Sequence, residues 1–110
     1  LTKSTAILPI IGTVDPYRAK QIQEKTLKQA ASHRIRKMII DLSAVAFMDT
    51  EVVSHLFKIV EGLSLLGCKA IITGIRAEIA NTMVEMGIKL SKELTVYQDL
   101  QQALEECGLQ

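Results

Sequence analysis

The fold is decided by the stretch KMIIDLSAVAFMDTEVVSHLFKIVEGLSLLGCKAIITG, residues 37–74. Two short apolar runs, at 37–42 and 68–73, flank a segment in which apolar residues recur at helical spacing over residues 49–67. Continuous apolar runs of this length are typical of strands buried on both faces of a parallel sheet. A strand, a helix and a second strand in this order predict a right-handed crossover at the centre of the chain.

The same alternation extends in both directions along the chain. Residues 6–11 and 94–97 are further short apolar runs, and helical patterns cover residues 16–31, 76–86 and 99–107. Pro9 cannot donate to a strand ladder, which favours a place at or near a sheet edge for the first strand. Asp15 and Pro16 form a typical helix start, with an aspartate cap before a proline. We therefore expect an α/β domain with a largely parallel sheet covered by helices.

Composition excludes several classes of function. The chain has 110 residues, enough for one domain, and its 13 Lys and Arg against 12 Asp and Glu give a net charge of +1. Near-neutral charge and 4% aromatic residues argue against nucleic-acid binding. No run approaches the ~20 apolar residues of a membrane span, and no signal peptide is visible. Two cysteines, Cys68 and Cys107, do not make a disulfide framework, so we expect reduced thiols in a cytoplasmic protein that avoids membranes.

The sequence lacks the usual signatures of catalysis. In α/β enzymes the active site lies in the loops that follow the strands, and here these loops contain no glycine-rich phosphate-binding motif. The two histidines, His33 and His55, do not combine with other residues into a metal-ligand set or a nucleophile with its base, although His55 lies near Ser54 and Asp49. We therefore expect no enzyme activity, no catalytic residues, no metal site and no cofactor.

One connection carries functional information: DLSAVAFMDT, residues 41–50, which joins the second strand to the long helix. Asp49 or Thr50 is expected to cap this helix, and a helix cap alone would explain both residues. A hydroxyl at a helix start has a second capacity, because free N–H groups and the positive end of the helix dipole favour an added phosphate. Between Asp49 and Glu51, a phosphate would concentrate negative charge and disturb a docked partner.

Four runs of sequence give the chain a family resemblance. Residues 41–50 with the amphipathic helix after them resemble the STAS domain, the fold of anti-sigma-factor antagonists. The runs LPIIGTVD (8–15) with Tyr17-Arg18, LLGC (65–68) and IITGIRAEIANT (71–82) resemble more narrowly the carboxy-terminal STAS domains of RsbR-type stressosome co-antagonists and scaffold proteins. The resemblance implies four to five strands with about four helices. It also implies that residues 1–110 form one STAS domain excised from a longer protein with an amino-terminal sensor domain.

The resemblance further implies a phosphorylation switch. In the RsbR-type subgroup a serine/threonine switch kinase phosphorylates two threonines, which correspond to Thr50 and Thr82 here, with Thr73 as a competing position for the second. Thr82 is expected at the same sheet edge as Thr50, since both follow parallel strands. The expected partner-binding surface consists of Asp49, Thr50, Glu51 and Arg76. Direct antagonists usually have small residues after the phosphosite, so Glu51 and the two valines after it fit the scaffold branch better.

These features predict a non-enzymatic, phosphorylation-regulated interaction domain. It is expected to pack with other STAS-domain proteins, as a homodimer and in the stressosome, and to hold the switch kinase until phosphorylation releases it to act on a general stress sigma factor. One alternative is a direct anti-sigma-factor antagonist. A second is the cytoplasmic STAS domain of an anion transporter. A third, a small α/β enzyme or nucleotide binder, is disfavoured by the missing phosphate loop.

Overall fold

A computed structural model describes residues 4–89 and 94–108 of the chain. Strands and helices alternate along these residues, as the sequence predicts. The described elements are, in chain order, β1 (Thr5–Ile11), α1 (Pro16–Ser32), β2 (Lys37–Ala44), α2 (Thr50–Leu65), β3 (Lys69–Thr73), α3 (Ala77–Glu85), β4 (Leu94–Tyr97) and α4 (Leu100–Glu106). No helix in this part of the chain is long and apolar enough to cross a membrane.

The four described strands form one sheet in the order β1-β2-β3-β4, and each neighbouring pair is parallel. The predicted parallel α/β architecture is therefore confirmed, with four strands. β1 lies at one edge, as Pro9 predicts, and its register against β2 shifts between Pro9 and Ile11. β2 continues to Ala44, two residues beyond the predicted strand, so the connection to α2 is shorter than expected.

The helices lie on both faces of the sheet. Three successive crossovers step in the same direction, which brings α1, α2 and α3 to one face. Alternate residues of β2 point to that face and pack with buried residues of α2 such as Val53 and Leu56. On the other face, Ile39 and Ile71 pack against Ala103 of α4. The predicted burial of β2 on both faces is thus confirmed, because residues 38–42 are all buried.

All four helices begin at the edge of the sheet where the strands end, which is called the carboxyl edge below. Asp15, Asp49 and Asp99 cap α1, α2 and α4, each accepting a hydrogen bond from the backbone N–H three residues ahead at 2.8–2.9 Å. Arg76 occupies the cap position of α3 and makes no side-chain cap bond. The positive ends of the helix dipoles therefore lie together at the carboxyl edge.

Gly74 allows the loop after β3 to lie against the end of β2. Its φ of +71° falls in the left-handed region. A Cβ built at this position would lie 2.7 Å from the Cβ of Ser43 and 2.8 Å from the Ser43 backbone nitrogen. A side chain here therefore meets both backbone strain and an overlap with rigid backbone atoms.

We predict that Gly74→Ala destabilises the domain more than Gly87→Ala. Gly87 has a similar φ of +73° and nothing within 4 Å of a built Cβ. Its substitution therefore measures the cost of the left-handed backbone alone, without a steric overlap. Gly87→Ala should lose about 1–2 kcal/mol, and Gly74→Ala should lose a further 1–3 kcal/mol, roughly, from the overlap with Ser43. Urea denaturation of both variants measures the difference. Equal losses would show that the loop moves away from Ser43 without penalty.

Candidate functional site

The candidate site lies at the carboxyl edge, where the neighbouring strands β2 and β3 end. The loops that follow these strands lead into α2 and α3, so the sheet brings the starts of both helices to one place. The four predicted partner-binding residues lie there, and all four are exposed: Asp49, Thr50, Glu51 and Arg76. Within the described residues, no hydrogen bond or ion pair joins Arg76 to the other three.

Asp49, and not Thr50, caps α2. Its Oδ1 accepts a hydrogen bond from the N–H of Val52 at 2.9 Å, and its carbonyl oxygen accepts the first intrahelical bond, from Val53. Thr50 is the first helical residue, and its hydroxyl makes no hydrogen bond within the described residues. The backbone N–H groups of Thr50 and Glu51 precede the intrahelical ladder and face the carboxyl edge. Thr50 therefore presents a free hydroxyl beside the positive end of a helix.

The loop before α2 is anchored by two buried side chains. Val45 and Met48 are each 1% exposed, and the N–H of Val45 donates to the carbonyl of Leu42 at 2.9 Å. Phe47, between them, is turned outward and is 64% exposed. Beside it a shallow depression of about 600 Å³ is lined by residues of the β1–α1 and β2–α2 loops, among them Asp15, Pro16, Ala44, Phe47 and Asp49. The site thus combines carboxylates with accessible apolar surface.

Arg18 fixes the other wall of this depression. Its Nη1 donates to the carbonyl oxygens of Ile11 at 2.9 Å and Thr13 at 2.8 Å, which ties the β1–α1 loop to the first turn of α1. The sequence singles out Arg18 only as part of a family resemblance, and its positioning role was missed. The clamp depends on how the β1–α1 loop folds back toward α1, which the spacing of residues along the sequence does not reveal.

A buried hydrogen-bond network lies just below the carboxyl edge. Asp41 Oδ1 accepts from the hydroxyl of Thr73 at 2.8 Å, and Oδ2 accepts from the hydroxyl of Ser43 at 2.7 Å. Asp41 and Thr73 are directly paired across β2 and β3. The sequence analysis places Asp41 at the start of the connection to α2, which needs correction, because β2 runs three residues beyond it. The network therefore joins the two strands that carry the site.

The structure separates the two candidates for a second phosphorylation site. Thr73 is 0% exposed and its hydroxyl is engaged by Asp41, so a kinase cannot reach it without opening the sheet. Thr82 is partly exposed, and its hydroxyl donates to the carbonyl of Glu78 at 3.1 Å. β2 and β3 are parallel, so α3, which carries Thr82, starts at the same edge as α2, as expected. Thr82 is the sixth residue of α3, about 8 Å along the helix from its start.

Other reactive side chains lie away from this site. His55 Nδ1 is 2.9 Å from Gln23 Oε1, so the ring joins α2 to α1 and is not directed at Asp49. Burial raises the pKa of the Cys68 thiol to about 11, which keeps it protonated at neutral pH. Cys68 and Cys107 are both free. No group of three or more His, Cys, Asp or Glu is placed to hold a metal ion in residues 4–89 and 94–108.

Comparison with known proteins identifies the class of this domain. The model of the STAS domain family matches residues 2–103, and the chain belongs to that family. Over 104 residues it is 46% identical to the RsbT co-antagonist protein RsbRB of Bacillus subtilis, a match that covers 94% of this chain and 37% of RsbRB. The chain thus spans about a third of the length of this relative. The resemblance to RsbR-type STAS domains is confirmed.

Solved structures agree with this assignment. A variant of RsbS from Moorella thermoacetica superimposes with a TM-score of 0.83 at 27% identity, covering 97% of this chain and 90% of that one. A chain of the stressosome, described as a signal integration and transduction hub, gives a TM-score of 0.82 at 26% identity, with coverages of 98% and 93%. The four-stranded parallel sheet with its helices is therefore the STAS fold.

We predict that Thr73→Val destabilises the domain by about 1–3 kcal/mol. The substitution preserves shape but leaves an oxygen of the buried Asp41 carboxylate without its donor. Thr95→Val in β4 is the matched control, because the hydroxyl of Thr95 makes no hydrogen bond within the described residues and should be lost without penalty. Chemical denaturation measures both. A loss in Thr73→Val no larger than in the control would mean that the network does not stabilise the sheet.

Proposed function

We propose that this chain is a non-enzymatic interaction domain of a cytoplasmic, stressosome-type assembly. In this role it holds a serine/threonine switch kinase and releases it on phosphorylation, so that the kinase acts on a general stress sigma factor. The observation that carries the proposal is the free, exposed hydroxyl of Thr50, which lies between two carboxylates at the start of α2. Support comes from the 46% identity to a protein named as a co-antagonist of RsbT.

The local electrostatics allow Thr50 to carry a phosphate without unfolding the domain. The N–H groups at the start of α2 and its dipole favour negative charge, whereas Asp49 and Glu51 oppose it. These two effects act in opposite directions on the folded state, so the net change in stability should be small. The domain can therefore switch its surface charge while it keeps its fold.

The effect of a phosphate on a docked kinase differs from its effect on the stability of the domain. The depression beside Phe47 provides apolar contact, and Asp49, which lines it, directly precedes the uncharged Thr50 at the carboxyl edge. A phosphate on Thr50 adds about −1.5 to −2 charge beside two carboxylates. A partner packed over this edge then has to accept like charge or leave the phosphate desolvated, and either effect weakens binding by several kcal/mol, roughly. Phosphorylation thus affects binding far more than folding.

Thr82 is the proposed second site. Its partial exposure on α3 supports the proposal, and so does the burial of the competing Thr73. Because α3 starts at the carboxyl edge with Arg76, a kinase docked at this edge is within a few turns of Thr82. Arg76 is the exposed cation at that helix start and is proposed to orient the partner, together with Asp49 and Glu51.

We predict that Thr50→Asp lowers kinase affinity at least tenfold, roughly, while the melting temperature shifts by less than about 4 °C. Thr50→Asn is the matched control, since it has the same shape without the charge and should bind like the unsubstituted chain. Isothermal titration calorimetry with the kinase and a thermal melt check both halves. Unchanged affinity in Thr50→Asp would remove Thr50 from the interface. A one-to-one complex with an anti-sigma factor instead of the kinase would favour a direct antagonist.

We predict that Thr82→Ala halves phosphate incorporation without unfolding the domain. After incubation with the switch kinase, mass spectrometry should find phosphate on Thr50 and Thr82 of the unsubstituted chain, and on Thr50 alone in the variant. Replacing both threonines by alanine should abolish incorporation. Two phosphothreonines persisting in Thr82→Ala would assign the second site to Thr73 and require the sheet to open during the reaction.

A further inference from the structure

Arg76 carries a guanidinium group that the fold does not use. It is exposed at the cap position of α3, and its side chain makes no hydrogen bond or ion pair within the described residues. Ser, Thr, Asp and Asn are the residues that usually cap a helix, and a cation at this end opposes the helix dipole. Local structure therefore gives no reason for an arginine here, and its cation is available to a ligand.

The loop that carries Arg76 lies against the strand that leads to Thr50. A Cβ built at Gly74 would lie 2.9 Å from the Cα of Ser43, so the chain leaves β2 and β3 at one place. Beyond the loops, α2 and α3 are neighbours on the same face of the sheet and together line a depression of about 210 Å³. Packed helices have axes about 8–10 Å apart. Thr50 and Arg76 therefore begin adjacent helices, at a separation that an extended arginine and a phosphorylated threonine bridge together.

The charges around Thr50 are mostly negative. The charged residues in the first turns of α1, α2 and α3, together with the caps before them, are Asp15, Arg18, Asp49, Glu51, Arg76 and Glu78. Arg18 is already bound through its Nη1 to two carbonyl oxygens, those of Ile11 and Thr13. Arg76 is therefore the cation of this group that no contact within the described residues occupies.

We propose that a phosphate on Thr50 is bound by the guanidinium group of Arg76 in the same chain. The proposal rests on the proposed function, because it specifies how phosphorylation regulates that same site. A guanidinium group donates two parallel N–H bonds to two phosphate oxygens, which gives such pairs both strength and a defined geometry. The contact joins the starts of α2 and α3, whereas the unphosphorylated chain has no hydrogen bond or ion pair from Arg76 to α2 in its described part.

This contact gives the phosphate two effects on a docked partner. The phosphate adds negative charge beside Asp49 and Glu51, and it withdraws the cation that is proposed to orient the kinase. The partner then meets a surface that has gained negative charge and has lost an available positive one. Within the domain, the exposed ion pair offsets part of the repulsion from the two carboxylates, which agrees with a small net change in stability.

Thr82 is placed differently with respect to Arg76. It lies six residues further along α3, whereas neighbours on a helix surface are three or four residues apart. The two residues are therefore on different faces of the helix. Arg76 binds a phosphate on Thr50 but not one on Thr82, so a phosphate on Thr82 serves as a control within the same chain.

A phosphorus NMR titration tests the contact in the full chain. Phosphothreonine is introduced at position 50 or at position 82 by peptide ligation at Cys68, which lies between the two. Binding by a guanidinium group favours the dianion. Arg76→Gln should therefore raise the pKa of the phosphate on Thr50 and tighten its second proton at least threefold, roughly. The pKa of a phosphate on Thr82 should not change.

The matched control is Lys58→Gln, which removes the same charge from an exposed position more than two turns further along α2. At about 0.15 M salt this distant charge is screened, and the pKa of the phosphate on Thr50 should stay the same. An unchanged pKa in Arg76→Gln would overturn the proposal. An equal rise in Lys58→Gln, or for the phosphate on Thr82, would do so too, because it would show a general charge effect.

A second measurement needs no substitution. In proton–nitrogen NMR spectra, the Nε–H signal of Arg76 should shift and become protected from exchange with water when Thr50 carries a phosphate, and not when Thr82 does. A signal that is the same in all three forms would also overturn the contact. No kinase takes part in either measurement. Absence of kinase binding therefore counts against the proposed function alone, and an unchanged phosphate and Arg76 signal count against the contact alone.

Discussion

The parallel direction of all four described strands is the constraint on which the rest of the structure depends. Each crossover has to return the chain to the start of the next strand, so every helix begins at the carboxyl edge and ends at the opposite one. Helix dipoles and free N–H groups therefore accumulate at the edge that carries Thr50. Lys37 and Lys69 are exposed at the opposite edge, where β2 and β3 start. The different helix ends found at the two edges follow from topology, and the lysines at the strand starts follow from the sequence.

The hydrogen bond between Asp41 and Thr73 separates the core from the proposed phosphorylation site at Thr50. It joins β2 to β3 one layer below the edge and removes the hydroxyl of Thr73 from solvent. Gly74 then brings the next loop against Ser43. The loops that present Thr50 and Arg76 are therefore anchored to the joined ends of β2 and β3. The charge at this surface can then change while the fold stays the same.

Local signals made much of this predictable from the sequence. Apolar runs and the caps at Asp15 and Asp49 identify the elements, and Pro9 places β1 at the edge, because each depends on residues near in the chain. The pairing of Asp41 with Thr73 depends on strand register, which the sequence does not reveal. The depth of Thr82 along α3 is also a property of the assembled fold. The sequence leaves open whether Asp49 or Thr50 caps α2, so it does not predict by itself that the hydroxyl of Thr50 is free.

The left-handed backbone at Arg34 has a consequence for how stable the domain could become. Arg34 directly follows the cap residue of α1 and has a φ of +52°. Glycine adopts this conformation without the penalty that a Cβ brings, and it is the usual residue at the position after a helix cap. The turn between α1 and β2 therefore keeps room for a stabilising substitution that leaves the carboxyl edge untouched.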